Sequence, residues 1–298
     1  MISIKTIRAW EKWIILTRSR CHLHFDLDGG SVTSHVKIGL DAGRKTAKRI
    51  SGDLQSQPSA ILEVGSSVGF NCLALSELFP DACIIGIEPD GEACEVATAM
   101  GVDFGAKNVR FIKAAGECLP FPGASIDWIV CHTVIEHVND VDSCIAEMAR
   151  VLRPGGYLHL DAPNYLWPWE PHLRIFMPPI CPKPILRILA RLQGAGVHVD
   201  YADHLKMVHP AWVECSLHRQ GMCWINRVER KLLLAASGER SHIAAYGRAA
   251  SFLSSLNSIG LAKWVIKFVL LAKLYPSLLY TAHKPKIDIN NIKHCQKR

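Results

Sequence analysis

Short apolar runs alternate with helical patterns between residues 60 and 161 of this chain. The apolar runs are ILEV (61–64), CIIGIE (83–88), VRFIK (109–113), IDWIVCHT (126–133) and YLHLDAP (157–163). Apolar residues at helical spacing fill the stretches between them: Phe70–Phe79, Gly91–Met100 and Val141–Leu152. Short strands separated by helices predict an α/β fold with a doubly wound parallel sheet. Right-handed crossovers place helices on both faces of such a sheet.

The alternation stops at about residue 163. Residues 163–208 are rich in proline and tryptophan, and such a run cannot form a central strand, so we predict a helical and proline-rich cap insertion. After it the sequence predicts a helix, a strand, further helices and a last strand: Pro210–Gln220, 222–229, 244–272 and 275–283. RPGG (153–156) is expected to end the helix before the fifth strand. Residues 1–55 are predicted to be an N-terminal helical segment, and residues 56–298 the main domain.

Composition narrows the classes of partner and compartment. The formal net charge of the 298 residues is +7, but the basic residues are spread along the chain, so we expect no nucleic-acid partner. The 11 cysteines include no C-x-x-C pair, which predicts free thiols, no zinc site and a cytoplasmic location. Lysines and a proline interrupt the most apolar stretch, residues 261–280, so no membrane-spanning helix is expected there.

A glycine loop follows the first predicted strand. In EVGSSVG (63–69), Gly65 and Gly69 let the backbone approach a ligand closely, and the helix that follows favours anionic or polar groups at its N-terminus. Glu88 ends the second predicted strand, about 20 residues further on, where an acid binds the hydroxyls of a ribose. A tight structural turn and a solvated strand-end charge are the alternatives. The spacing favours a nucleoside-containing ligand.

Several segments together resemble one enzyme family. They are the 63–69 loop, IGIEPD (85–90), AAGECLPFPGASIDWIV (114–130), VIEHV (134–138) and ARVLRPGGYL (149–158). In order and spacing they resemble the class I S-adenosylmethionine-dependent methyltransferases of the small-molecule, ubiquinone-biosynthesis-like group. The resemblance covers about residues 55–162, and more weakly 209–225 and the last strand. It implies a Rossmann-like seven-stranded sheet whose last strand is antiparallel, S-adenosylmethionine as cofactor, and methyltransferase activity.

The resemblance also implies roles for the matching residues. Those expected at the methionine end of the cofactor are Glu63, Gly65, Ser67, Gly69 and His132. Glu88, with Pro89 next to it, is expected at the ribose, and Gly116 and Glu117 at the adenine. Two positions depart from the family pattern. Ser67 stands where a glycine is usual, and Ala115 stands where an aspartate commonly binds the adenine amino group, so Glu117 would have to substitute.

An acceptor is expected beyond strands four and five, where the methyl group would point. An oxygen acceptor must lose a proton, for which histidine is suited near neutral pH. We therefore predict His137 or His172 as general base. The residues predicted to bind the acceptor are Glu136, Asn164, Tyr165, Trp167 and Glu170. Structural roles for these side chains are the alternative. A cluster of Glu136, His137, Glu170 and His172 could also bind a divalent metal, but no ligand spacing supports this, and no metal is predicted.

Two questions stay open at the level of sequence. The first is whether the chain is an O-methyltransferase acting on a small molecule, lipid-like or sugar, or a non-catalytic cofactor-binding or scaffold protein of the same fold, as Ser67 and Ala115 would allow. The second concerns the basic apolar helix near 261–272, with Trp264 and Phe268. It either packs on the sheet with its lysines in water or makes a weak contact with a membrane surface. The sequence does not predict the oligomeric state.

Overall fold

The computed structural model describes residues 2–19, 31–52, 54, 57–195, 201–238 and 247–286. The helices in these ranges are α1 (Ile4–Ser19), α2 (Val32–Ser51), α3 (Phe70–Leu78), α4 (Gly91–Asp103), α5 (Val141–Val151), α6 (Lys183–Leu192), α7 (Pro210–Arg219), α8 (Val228–Ala236), α9 (Gly247–Ser258) and α10 (Ala262–Leu271). The strands are β1 (Ala60–Val64), β2 (Cys83–Glu88), β3 (Val109–Lys113), β4 (Ile126–His132), β5 (Leu152–Pro163), β6 (Trp169–Glu170), β7 (Ile175–Phe176), β8 (Cys223–Asn226) and β9 (Ser277–His283).

The main sheet has seven strands in the order β3-β2-β1-β4-β5-β9-β8. Strands β1 to β5 pair in parallel, and β9 pairs antiparallel with both β5 and β8. β8 therefore runs in the same direction as β1 to β5, and the predicted sheet with an antiparallel last strand is confirmed. The strand order reverses between β1 and β4. In such sheets ligands bind beyond the carboxyl ends of the strands on either side of this reversal.

The central strands are apolar because helices cover both of their faces. Alternate residues of β1 show this directly. Ile61 packs in one buried cluster with Trp128, whereas Leu62 packs in a second cluster with Ile129 on the opposite face. The sequence signal of continuous short apolar runs therefore follows from a sheet buried on two sides.

The N-terminal helices pack against the helices that follow β1 and β2. α1 contacts α4, and α2 contacts α3. Gly39 and Gly43 allow the close approach of α2, since a Cβ at Gly39 would lie 2.2 Å from the Phe70 ring and one at Gly43 2.7 Å from the Phe70 carbonyl oxygen. These helices fall within the predicted segment 1–55, parts of which, residues 20–30 among them, lie outside the described residues. The division at residue 55 stays a prediction.

Three sequence predictions differ from the structure in detail. The helical region 244–272 is interrupted between α9 and α10, where Gly260 has a φ of +75°; residues 244–246 lie outside the described ranges. The predicted strand 222–229 ends at Asn226, whose side-chain oxygen accepts a hydrogen bond from the backbone N–H of Val228 at 2.9 Å, where α8 begins. RPGG lies inside β5 rather than before it, and the Gly155 N–H donates to the Lys284 carbonyl at 2.7 Å.

Residues 163–208 pack against the loop that follows β4. This segment contains α6 and the short hairpin β6–β7, and residues 196–200 lie outside the described ranges. The backbone N–H of Lys206 donates to the Glu136 carbonyl at 2.7 Å, and that of Tyr165 donates to the Val208 carbonyl at 3.0 Å. The segment therefore lies at the carboxyl edge of β4 and β5. Among the helices that the structure describes, none is long and apolar enough to cross a membrane.

Candidate functional site

The loop between β1 and α3 has three residues in the left-handed region. The φ angles are +72° at Gly65, +46° at Ser67 and +86° at Gly69. A Cβ at Gly65 would lie 2.4 Å from Val134 Cγ2, and one at Gly69 would lie 2.6 Å from the Phe111 ring. Both glycines are therefore required by conformation and by space. Ser67 adopts the same region although it has a Cβ, at a cost of about 1–2 kcal/mol.

Glu88 receives hydrogen bonds from two backbone amides. The N–H of Ser67 donates to its Oε2 at 2.9 Å, and the N–H of Asp90 donates to its Oε1 at 3.1 Å. Burial raises the pKa of Glu88. Because a carboxylate has about four acceptor positions, each oxygen retains a lone pair for a further donor. Pro89, the next residue, is exposed. The carboxylate of Glu88 can accept from the two hydroxyls of a ribose.

Glu63 lies beneath the loop and contacts the first turn of α3. Its Oε1 accepts from Asn71 Nδ2 at 2.7 Å, and its Oε2 lies 2.9 Å from Cys72 Sγ, which donates. Burial raises the pKa of Glu63 to about 7. These contacts fix the start of α3 relative to β1. The cofactor contact that the resemblance implies for Glu63 stays a prediction.

The residues predicted to bind the adenine follow β3 in the chain and contact α5 and the loop before it. A Cβ at Gly116 would approach Cys144 Sγ to 2.8 Å, so a side chain there would not fit without a shift. Glu117 Oε1 accepts from the backbone N–H of Asn139 at 2.6 Å. Glu117 thus has a structural partner at the loop that begins α5. Whether it also binds the adenine in place of the aspartate that Ala115 lacks stays a prediction.

His132 belongs to a buried charged group that the sequence analysis did not single out. Its Nδ1 lies 3.3 Å from Asp161 Oδ2, and Arg49 Nη2 lies 3.6 Å from the same oxygen. Burial by itself would raise the pKa of Asp161, but the neighbouring His132 and Lys231 outweigh it and lower that pKa. Asp161 therefore carries a negative charge that orients His132. The available signal was a charged residue inside the buried run YLHLDAP.

Three segments distant in the chain meet beyond the carboxyl end of β4. We call the residues they contribute the histidine cluster: Glu136, His137, Glu170, His172 and Tyr201. The ring centroids of His137 and His172 lie 5.0 Å apart in an edge-on arrangement. The hydroxyl of Tyr201 lies 3.4 Å from His137 Nε2. The structure thus brings both predicted catalytic histidines into contact, together with a tyrosine that no sequence pattern had indicated.

Glu136 is the buried acid of this cluster. Its side chain is fully buried, and among the described residues neither carboxyl oxygen has a hydrogen-bond partner. His137 Nε2 lies 3.7 Å and His172 Nε2 lies 4.0 Å from its Oε1. Burial raises the pKa of Glu136 to about 8. At neutral pH the protonated acid therefore predominates, and it can donate a hydrogen bond.

Glu170 orients His172. His172 Nδ1 lies 2.6 Å from Glu170 Oε1, and the backbone N–H of Leu173 donates to the other oxygen. The hydroxyl of Tyr165 also donates to Glu170 Oε1, at 3.3 Å. A carboxylate at Nδ1 favours the proton on that nitrogen, which leaves Nε2 as an acceptor. The side chain of His137 is 32% exposed and that of His172 only 9%, so His137 is the more accessible base.

Two of the predicted acceptor-binding residues, Asn164 and Trp167, make hydrogen bonds within the protein, and their contact with an acceptor stays a prediction. Asn164 is buried, and its Nδ2 donates to the carbonyls of Lys273 and Tyr275 at 2.9 and 2.7 Å, while its Oδ1 accepts from the Leu166 N–H. Its amide nitrogen therefore holds the chain that enters β9, and its side-chain oxygen holds the turn that follows β5. Trp167 is half-buried, and its backbone N–H donates to the Asn164 carbonyl.

The histidine cluster also contains a set of metal-ligand atoms. Glu136, His137 and His172 each offer one, and these atoms lie within 4.8 Å of one another. One carboxylate and two imidazoles are a donor set that binds zinc and other divalent transition metals. The sequence predicted no metal, so this arrangement needs a direct test.

Comparisons with known sequences find similarity to methyltransferases. Residues 62–160 match the family described as methyltransferase domain. An uncharacterized methyltransferase of Bacillus subtilis, YcgJ, is 36% identical over 96 residues, which is 32% of this chain and 37% of that protein. The O-methyltransferase cnsE of Penicillium expansum is 29% identical over 230 residues, which cover 71% of this chain and 81% of that protein. The first of these matches thus spans well under half of the relative's length.

A solved structure shows the same fold. The [4+2]-cyclase SpnF superposes with a TM-score of 0.51 and 17% sequence identity, covering 82% of each chain. The sheet order, the glycine loop and the family match over residues 62–160 agree with the class I S-adenosylmethionine-dependent methyltransferases that the sequence resembles. The match to the methyltransferase domain covers about a third of the chain, residues 62–160. The cyclase shows that this fold also supports other chemistry.

Proposed function

We propose that this protein transfers the methyl group of S-adenosylmethionine to an oxygen atom of a small-molecule acceptor. The observation that carries the proposal is the contact between the two halves of the site. Gly65, in the glycine loop, packs on Val134, and Val134 lies two residues before Glu136 of the histidine cluster. A ligand held by the loop would therefore lie beside groups that can bind a proton.

The residues of the cofactor half fit S-adenosylmethionine. Gly65 and Gly69 hold the loop backbone at positive φ against Val134 and Phe111, Glu88 can accept hydrogen bonds from the ribose, and His132 is expected at the methionine end. When bound, the cofactor supplies a methyl group already activated on a sulfonium. The protein must then align the acceptor and exclude water.

The histidine cluster suits proton removal from an acceptor hydroxyl. We assign His137 as the general base because its side chain is the more exposed of the two histidines. His172, oriented by Glu170, packs edge-on against it. The protonated Glu136 can donate a hydrogen bond within the same cluster. The match to an O-methyltransferase over 81% of that relative supports oxygen as the methylated atom.

The test is calorimetric titration with S-adenosylmethionine and with its demethylated product, followed by a screen of phenols, quinols, sugars and lipid-like alcohols for methylated products. We expect micromolar binding of both ligands and turnover of at least one class of hydroxyl. Binding without turnover across the screen would favour the alternative, a non-catalytic cofactor-binding protein. Absence of binding would overturn the assignment of the cofactor.

A second candidate is metal-assisted methyl transfer. The three ligand atoms within 4.8 Å favour it, as does the buried carboxyl group of Glu136, which has no hydrogen-bond partner among the described residues. A divalent metal would lower the pKa of a bound acceptor hydroxyl. Turnover that is lost on chelation and restored by one divalent metal would support this candidate, whereas turnover unchanged by chelation would leave His137 as the base.

A further inference from the structure

Helix α10 presents a row of large apolar side chains to solvent. Trp264 is 71% exposed, Phe268 66% and Leu271 83%. Their spacing of four and then three residues places them on one side of the helix. Ala262 and Ile266, on the other side, are buried, and α10 packs against α8 and α9. Single exposed apolar residues are ordinary, but a contiguous row indicates an interaction surface.

The charged residues in this part of the chain are all basic. Lys263 and Lys267 are exposed on the same helix, and residues 247–286 contain no aspartate or glutamate. An apolar face with tryptophan and phenylalanine, accompanied by lysines, is typical of a helix that lies in the headgroup region of a membrane. Anionic lipid headgroups complement the lysines.

A second copy of the chain complements this surface poorly. In a two-fold dimer the same patch lies on both subunits, so Lys263 and Lys267 of one copy would face those of the other without an acidic residue from 247–286 to neutralise them. We propose that α10 docks the protein on an anionic lipid surface, with Trp264, Phe268 and Leu271 inserted among the headgroups.

The position of α10 relates this surface to the acceptor. The segment directly after α10 supplies the Lys273 and Tyr275 carbonyls that hold Asn164, which follows β5. The docking face therefore adjoins the chain that leads to Tyr165 and Glu170 in the cap segment. The membrane docking of α10 rests on the proposed function and specifies its substrate class: the acceptor is an amphiphile with a hydroxyl, taken from the membrane surface.

Flotation with lipid vesicles tests the proposal. The parent protein should float with vesicles of phosphatidylcholine mixed with phosphatidylglycerol, much less with phosphatidylcholine alone, and less as salt is raised. Each lysine near an anionic surface contributes about fivefold in binding, so Lys263→Glu with Lys267→Glu should lower the partition by at least about 25-fold. Phe268→Asp should lower it too. Val102→Asp is the matched control, because Val102 is 76% exposed on α4, and it should float like the parent.

Calorimetry with S-adenosylmethionine accompanies every variant and should give unchanged affinity. Loss of flotation with intact cofactor binding supports the docking face, whatever the outcome of the acceptor screen. A parent that does not float, or variants that float as well as it does, would overturn the proposal. So would a dimer of the parent, seen by analytical ultracentrifugation, that Phe268→Asp dissociates, since the face would then join two copies.

Discussion

The cofactor half and the acceptor half of the site are built in different ways. The cofactor half is local: the backbone of residues 65–69 and the acid Glu88 join through one hydrogen bond from Ser67. The acceptor half is assembled from residues 136–137, 165–172 and 201, which meet through side chains. Backbone conformation thus shapes the proposed cofactor half, whereas tertiary packing determines which proton acceptors lie in the proposed acceptor half.

The largest expected effect is a loss of turnover from a change in the acceptor half that leaves cofactor binding intact. His137→Ala should lower turnover by about 10²–10⁴-fold, the usual contribution of a general base, while S-adenosylmethionine affinity stays within about twofold. Measurements of kcat and of calorimetric affinity check both. His218→Ala, at an exposed position on α7, is the control. If His137→Ala and His172→Ala both keep near-normal turnover, alignment alone drives the transfer and neither histidine is catalytic.

The buried acid of the acceptor half gives a pH signature. Because burial raises the pKa of Glu136 from 4.5 to about 8, the unfolded chain releases this proton at lower pH than the folded protein. The contribution to stability is fully present below pH 4.5 and is lost as pH rises through about 8. Relative to the parent, Glu136→Gln should therefore gain about 5 kcal/mol in unfolding free energy across this range.

Denaturant unfolding at a series of pH values measures this difference. The Glu229→Gln variant provides the control at a solvent-exposed position. A difference for Glu136→Gln that does not change with pH would mean that Glu136 ionises in the folded protein as it does in water. The acceptor half would then lack the neutral acid that distinguishes it from the cofactor half.

Within the cofactor half, Glu88→Ala should weaken S-adenosylmethionine binding by about 1–3 kcal/mol, because the ribose hydroxyls lose their acceptor. Calorimetric titration measures the change, which corresponds to roughly 5–150-fold in Kd. Asp81→Ala, at an exposed acid just before β2, should leave the affinity unaltered. Equal affinities for parent and Glu88→Ala would show that the ribose lies elsewhere.

The smallest expected effect concerns the loop backbone. Ser67→Gly removes the Cβ from a residue with φ of +46°. The relief of backbone strain is partly offset by the greater entropy of glycine in the unfolded chain, so the fold should be stabilised by about 0.5–1 kcal/mol. Thermal and denaturant unfolding give the value. Ser66→Gly, next to it but without a positive φ, should destabilise. A loss of stability for Ser67→Gly would indicate that the serine side chain makes a compensating contact.

The sequence predicted the features that depend on neighbouring residues. Apolar runs such as CIIGIE became strands because both faces of the sheet are buried, and the interval between Gly65 and Glu88 reflects one strand–helix–strand unit. The sequence did not predict contacts between segments that are distant in the chain. Asn164 follows the end of β5, where a binding residue is expected, but its amide nitrogen donates hydrogen bonds to the carbonyls of Lys273 and Tyr275. Tyr201 joins the histidine cluster only through the fold of the cap segment, and nothing local marks it.

The packing of the N-terminal helices also sets the order in which apolar surface is covered during synthesis. α1 and α2 leave the ribosome before α3 and α4, the helices that they pack on. Trp10, Val36 and Leu40, which share a buried cluster with Leu73 and Val96, have no folded partner until those helices emerge. At about 5–20 residues per second this interval lasts roughly 5–20 s. These apolar side chains therefore stay uncovered for several seconds of synthesis, well before the sheet is complete.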